Sequence, residues 1–342
     1  MRYRVILCVA LVYLTSCKEE IPRRSFENPT FIAKGVFVTN EGNFQWGNAS
    51  VTYYDFADSV ANATDLFAQK NNRPLGDICQ SMYIYNGKAY LVLNNSSKIE
   101  VADAGSFVSL ATISGLGSPR YFLPVSSYKA YVTDLYANSV QVVDLQQNKV
   151  VKQIPLRGWT EELLLYQGRV YVTNLRTNYL YLINPQTDVL EDSILMGMPS
   201  ASLAIDKNNQ LWALCSQVLT QSASSKLVCL STDGKSINKT IDLGTDAGKI
   251  LRSSPSGEYL YYIKTHVYRI GISDNTAPAN PFIYKSGSQN FYSLGVEPIS
   301  GAVFVSDAAD YIQRGKVSCY SSNGVFQYMF NSGIIPGNFW FN

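Results

Sequence analysis

The sequence predicts an all-β chain, a seven-bladed β-propeller closed by its C-terminal strand, and three observations lead there. A short strand returns seven times: a small or apolar residue, an aromatic, a β-branched or apolar residue, then usually a polar pair. Its spacing is regular. The aromatics stand at Phe37, Tyr90, Tyr131, Tyr171, Trp212, Tyr261 and Phe304, separated by 53, 41, 40, 41, 49 and 43 residues. A repeat of roughly 40 to 50 residues built from short strands marks one four-stranded blade per repeat. Composition agrees: 24 tyrosines and 15 phenylalanines against 16% charged residues suit pleated, half-buried surfaces. A chain of 342 residues could hold two domains. The unbroken repeat favours one, because a blade cannot bury both faces without neighbours.

The elements follow in order. Arg2 and Arg4 precede an apolar run at 5–14, too short to span a bilayer, which needs about 20 residues, but the size of a signal-peptide core. The run ends in Leu14-Thr15-Ser16-Cys17. This resembles the bacterial lipobox, in which the cysteine is acylated and begins the mature protein; an ordinary secretory signal that happens to hold a cysteine is the alternative. Lys18-Glu19-Glu20 resembles the signal that sends some Bacteroidota-type lipoproteins to the outer face of the outer membrane. Residues 1–16 are therefore read as the signal peptide, 17–31 as the lipidated Cys17 and a tether, and 32–342 as the propeller. The expected location is the outer membrane, facing the exterior, with the lipid as the sole membrane contact.

Within the propeller each aromatic strand is followed by a hairpin partner, at 49–55, 98–102, 139–144, 179–184, 226–231, 267–272 and 316–320. Third strands follow, as at 150–155 and 189–195, then a Gly- and Pro-rich turn and an inner strand such as 200–206 that opens the next blade. The first blade lacks an inner strand, and the chain ends on a spare one, Asn338-Phe339-Trp340-Phe341-Asn342. This strand is expected beside 35–40, which leaves no free edge at the seam.

Tyr131-Val132-Thr133-Asp134 and Tyr171-Val172-Thr173-Asn174, followed by Val140-Gln141-Val142-Val143-Asp144 and Tyr181-Leu182-Ile183-Asn184-Pro185, resemble the YVTN family of propellers over nearly all of the mature chain, with blades five and six the poorest. The opening Asn40-Glu41-Gly42-Asn43-Phe44 and Gly47-Asn48-Ala49-Ser50-Val51-Thr52-Tyr53-Tyr54-Asp55 resemble the BtuG-type surface propellers. That resemblance implies a lipoprotein that captures cobalamin, a corrinoid, and passes it to a TonB-dependent outer-membrane transporter.

A ligand is expected over the central channel, on the face made by the hairpin loops and the loops leading into the inner strands. Those loops hold Phe44, Trp46, Arg120, Tyr121, Tyr136, Trp159, Arg176, Phe291, Tyr292 and Tyr311. Phe44, Trp46, Arg120, Tyr136, Trp159, Arg176, Phe291 and Tyr311 are the candidate ligand contacts. Flat aromatic faces offer apolar contact and arginine a bidentate grip on phosphate, which suits a large flat ligand edged with amides and one phosphate. Packing between blades is the alternative role for any one of them, less so for Trp46 and Trp159, which stand in polar loops.

Other chemistry finds little support. The single histidine, His266, excludes a multi-histidine metal site and lacks the Gly-x-Ser-x-Gly elbow of a hydrolase. No Cys-x-x-Cys or phosphate loop occurs, and no metal, cofactor or catalytic residue is expected. His266 could ligate a cobalt, although a solvent-facing loop histidine is plainer. Glu41, Asp77 and Glu161 could face the channel and do acid–base work. Without Arg2 and Arg4 the basic residues equal the 26 acidic ones, so nucleic acid is an unexpected partner. Cys79, Cys215, Cys229 and Cys319 remain in an oxidising compartment; Cys215 and Cys229 could face each other across a hairpin, or all four could be small buried hydrophobes. The leading reading is a cobalamin-capturing surface lipoprotein and not an enzyme. The alternatives are a cell-surface interaction propeller with a protein or glycan ligand, and a lactonase-like hydrolase.

Overall fold

The computed structural model describes residues 34–63, 65–217, 224–245, 248 and 250–342. The signal peptide, Cys17 and the tether lie outside the described residues.

Seven antiparallel sheets form the ring, and each runs from an inner strand outward. Blade 1 comprises Pro336–Phe341, Gly35–Asn40, Ser50–Asp55 and Val60–Ala63; blade 2, Cys79–Tyr85, Lys88–Leu93, Lys98–Asp103 and Ser109–Ile113. Blade 3 holds Pro119–Pro124, Lys129–Asp134, Ser139–Asp144 and Lys149–Pro155, and blade 4 holds Thr160–Tyr166, Arg169–Asn174, Tyr179–Asn184 and Val189–Leu195. Blade 5 is Ser200–Ile205, Leu211–Ser216, Ser224–Leu230 and Ile237–Thr245; blade 7 is Phe291–Val296, Val303–Asp307, Arg314–Tyr320 and Phe326–Ile334. Blade 6 has three strands, Leu251–Ser253, Tyr259–Ile263 and Val267–Gly271. Its outer edge carries a single bridge, Val267 to Ile283. The segment before that bridge holds Pro278 and Pro281, which lack the N–H that a ladder needs.

The seven aromatics behave as one structural device. All are buried, none more than 4% exposed, and each packs into the apolar layer between its own blade and the next one. Strand alternation sends their neighbours the other way. Tyr171 joins the layer between blades 4 and 5 while Val170 and Val172 join that between blades 3 and 4. Polar tips find partners, as buried ones must: the Tyr171 hydroxyl donates to the Gly234 carbonyl at 3.0 Å, the Trp212 indole to Asp206 at 2.9 Å, and the Tyr131 hydroxyl to Asp188.

The ring closes as expected, with a longer strand. Pro336–Phe341 pairs antiparallel with Gly35–Asn40, placing Phe341 opposite Val36, Trp340 opposite Phe37 and Phe339 opposite Val38. Phe339 and Phe341 pack against Phe304 of blade 7, and Trp340 against Tyr83 of blade 2. Glycines admit this strand: a Cβ on Gly295 would lie 2.7 Å from that of Phe339, and one on Gly315 2.6 Å from the Pro336 Cδ. Lys34 and Asn342 meet through their backbones, at the end of blade 1 opposite its 40–49 hairpin.

Two features differ from the sequence expectation. A short helix, Leu66–Asn71, links blades 1 and 2, capped by Asp65 and holding buried Phe67. Cys215 and Cys229 do not face each other. Cys215 stands opposite Lys226 and Cys229 opposite Trp212, so their side chains leave opposite faces of the blade, toward blade 4 and blade 6. All four described cysteines are free and buried, and burial pushes the Cys215 and Cys229 thiols up to about 12.

Candidate functional site

The last two residues of the Tyr-Val-Thr-Asp/Asn motif build the loop face. Most inner strands shift register at the same level, and the extra residues lie opposite the motif's hydroxyl residue: Arg120 and Tyr121 opposite Thr133, Glu161 and Glu162 opposite Thr173, Tyr292 and Ser293 opposite Ser306. The hydroxyls repair the interrupted ladder. Thr133 accepts from the Tyr121 N–H at 3.0 Å, Ser306 accepts from the Ser293 N–H at 2.9 Å, and Thr173 donates to the Glu162 carbonyl at 3.3 Å. A bulge re-aims side chains, and here it turns polar residues of the inner strands toward one another around the axis.

The motif's final residue holds two loops at once. Asp134 accepts from the N–H groups of Gly117 and Ser118, which lead into the inner strand, and from Tyr136 and Ala137 in the hairpin loop. Asn174 does the same for Trp159, Arg176 and Thr177, and donates to the Arg157 carbonyl at 2.9 Å. The first blade's Asn40-Glu41-Gly42-Asn43 serves the seam. Asn40 accepts from Ser332 and Gly333, Glu41 accepts from the Tyr292 hydroxyl at 2.8 Å, and Asn43 donates to the Tyr311 carbonyl at 2.6 Å.

The channel below these loops is lined by groups that satisfy one another. Arg120 forms a bidentate pair with Glu161 at 2.6 and 2.7 Å and donates to Gln80, so blades 2, 3 and 4 are tied. Glu162 accepts from Ser202 at 2.7 Å and from Arg252 at 3.1 Å, which extends the chain to blades 5 and 6. Burial works against the Arg120 charge, yet the adjoining Glu161 carboxylate more than offsets it and the guanidinium pKa is raised. Burial, reinforced by nearby carboxylates, pushes the phenols of Tyr121 and Tyr292 up. Of the expected carboxylates, Glu41 is bound to Tyr292, Glu161 to Arg120, and Asp77 to the Gln45 N–H and the Asn95 amide. His266 is half-buried and accepts from the Lys285 N–H through Nδ1 at 2.8 Å. Among the described residues no group of His, Cys, Asp or Glu is disposed to hold a metal.

The candidate contacts divide into three sets. Trp46, Phe44 and Tyr311 stand out from the loops of blades 1 and 7, exposed by 76%, 62% and 45%, and exposed Ile312 stands beside Tyr311. Tyr136, Trp159 and Arg176 come together at blades 3 and 4. The Tyr136 ring meets Trp159 edge-on at 5.7 Å, and the Arg176 guanidinium lies 5.3 Å from the centre of the Trp159 ring. They border a cleft of about 470 Å³. Arg120 and Phe291 are not rim residues. Arg120 lies on an inner strand and points into the channel, because the strand begins at Pro119. Phe291, only 9% exposed, packs between blades 6 and 7 with Tyr261 and Ile263; its strand begins there, and the bulge turns Tyr292 inward in its place. Gln80, Glu162 and Ile312 were not singled out by the sequence. Gln80 and Glu162 sit at inner-strand register shifts, just after a loop, the one signal that could have found them.

A family described as "Domain of unknown function (DUF5074)" matches residues 34–334. Among solved structures, the chain is similar to a quinonprotein alcohol dehydrogenase-like protein from Bacteroides thetaiotaomicron. The TM-score is 0.74 at 15% identity, covering 90% of this chain and 78% of that one. Dihydro-heme d1 dehydrogenase NirN is similar at TM-score 0.58 and 10% identity, covering 94% and 82%. A Kuenenia stuttgartiensis hydrazine synthase is similar at 0.57 and 13%, covering 74% and 85%. At such identities the likeness is one of fold. No curated protein matches the chain.

Proposed function

We propose that this chain, which belongs to the DUF5074 family, captures a large flat ligand, a corrinoid such as cobalamin, on its loop face and passes it to a TonB-dependent outer-membrane transporter. One observation carries the reading. Phe44, Trp46, Tyr136 and Tyr311 stand exposed together on the loops of one face, and those loops are pinned by a dense set of hydrogen bonds. Exposed apolar surface at one place marks a binding site, and pinned loops reduce the ordering cost of binding. The channel groups are already paired with one another, so the ligand sits over the mouth and not within it. Of the carboxylates that could serve acid–base work, Glu161 is held in one of these pairs, while Glu41 accepts from Tyr292 and Asp77 from the Gln45 N–H and the Asn95 amide, which favours binding over catalysis.

Calorimetry with cyanocobalamin tests the proposal. The domain should bind with one site, and Trp159→Ala should weaken binding by on the order of 2 kcal/mol, the loss typical of an aromatic anchor, with an unchanged melting curve. No heat at micromolar concentrations would reject the corrinoid. It would then favour the second reading, a protein or glycan partner, for which the aliphatic Ile312, 70% exposed, speaks.

The anchor belongs to the same proposal. Cys17 carries the lipid in the lipobox reading, and a lipid-bearing cysteine holds a protein at a membrane through its acyl chains. Cys17→Ala should release the protein from the membrane fraction, and equal retention of the variant would sink the lipoprotein reading.

A further inference from the structure

The loop face has two unlike halves. Blades 7 and 1 expose Phe44, Trp46, Tyr311 and Ile312, on two loops joined where Asn43 donates to the Tyr311 carbonyl. Blades 3 and 4 lie across a seven-membered ring from that seam. There the two motif copies ending in Asp134 and Asn174 hold the backbones of Tyr136, Trp159 and Arg176 in one constellation.

Arg176 is the informative member. It is exposed, its guanidinium rests on the Trp159 ring, and among the described residues no carboxylate pairs with it. An arginine that uses its flat face on an aromatic keeps its edge N–H donors for a second partner. Those donors match two oxygens of one oxyanion. The cleft beside it is lined by exposed Tyr136, by Asn138 and Thr177, and by Leu135 and Gly158.

We infer that the cleft between blades 3 and 4 is an oxyanion-and-ring subsite, in which Arg176 grips a phosphate or carboxylate while an attached planar ring lies against Tyr136 and Trp159. The exposed side chains at blades 7 and 1 take the larger apolar part of the same ligand, so the ligand binds in one orientation only. The inference rests on the capture reading and adds a polarity to it. In a corrinoid the phosphate and the planar base belong to the nucleotide appendage, which would then point to blades 3 and 4.

The test compares cyanocobalamin with cyanocobinamide, which lacks the nucleotide, on wild type and Arg176→Gln. Loss of a charge-assisted bidentate contact should weaken cyanocobalamin binding by about 10- to 100-fold and cobinamide binding by less than about threefold, converting wild-type discrimination into near equality. An equal loss on both ligands, or a loss on neither, overturns the subsite while leaving corrinoid capture standing. If wild type binds neither, corrinoid capture fails and the subsite is judged with 1-naphthyl phosphate against 1-naphthol. The readout is the Trp159 indole N–H resonance, assigned with Trp159→Phe. A saturable shift with the phosphate, absent with naphthol and lost in Arg176→Gln, upholds it; any other pattern overturns it.

Discussion

Removal of residues 339–342 should cost on the order of 5 kcal/mol and leave a protein that aggregates on warming. The cut takes away Phe339, Trp340 and Phe341, which lie between blades 7, 1 and 2. Each is partly buried, and full burial of one such side chain contributes roughly 1.5–3 kcal/mol. The backbone of Val36, Phe37 and Val38 also loses its inner partner, and an unpaired edge templates association. Such a loss is comparable to the whole stability of many domains, about 5–15 kcal/mol. Thermal unfolding followed by circular dichroism checks it, and a melting curve within a degree or two of wild type would mean that the remaining contacts close the ring.

Glu161→Ala should destabilise the domain by on the order of 3 kcal/mol. The Arg120 and Glu161 side chains are only 13% and 4% exposed, and removing one partner leaves a buried charge without compensation. Replacing both together, Arg120→Met with Glu161→Leu, should recover most of the loss, because an apolar pair of similar volume removes the stranded charge. Urea unfolding of wild type and the two variants decides. A single variant within about 1 kcal/mol of wild type would show that water in the channel solvates Arg120 well enough to dispense with its partner.

The fold was legible because its strongest signal is periodic. Tyr131 and Tyr171 recur at nearly the same phase and do the same work, each filling the layer to the next blade. The hydroxyl and amide that follow them were visible as a motif but not as a mechanism. Thr133 caps a bulge on a strand twelve residues away, and Asp134 clamps backbone in two loops; neither relation has a local signature. The same bulges explain the misplaced candidates. They begin within a residue or two of the loop, so Arg120 read as a loop residue although it belongs to the channel, and Phe291 read as exposed although its neighbour Tyr292 took the inward position. Trp159, Arg176 and Tyr136 lay in loops and stayed there. Their convergence needed the ring, since Tyr136 and Trp159 belong to different blades.

The two described ends of the domain meet at the base of blade 1, on the side away from Trp46 and Trp159. A leash attached at Lys34 and fixed to a bilayer at Cys17 would hold the domain by its floor and turn its mouth outward, suited to catching solutes arriving from outside. Handing cargo down to a pore in the same bilayer is the opposite posture. Sixteen residues, the number at 18–33, reach at most roughly 55 Å, and under the proposed anchoring that reach would let the domain turn toward a neighbouring transporter. Leash length would then govern delivery, leaving capture untouched.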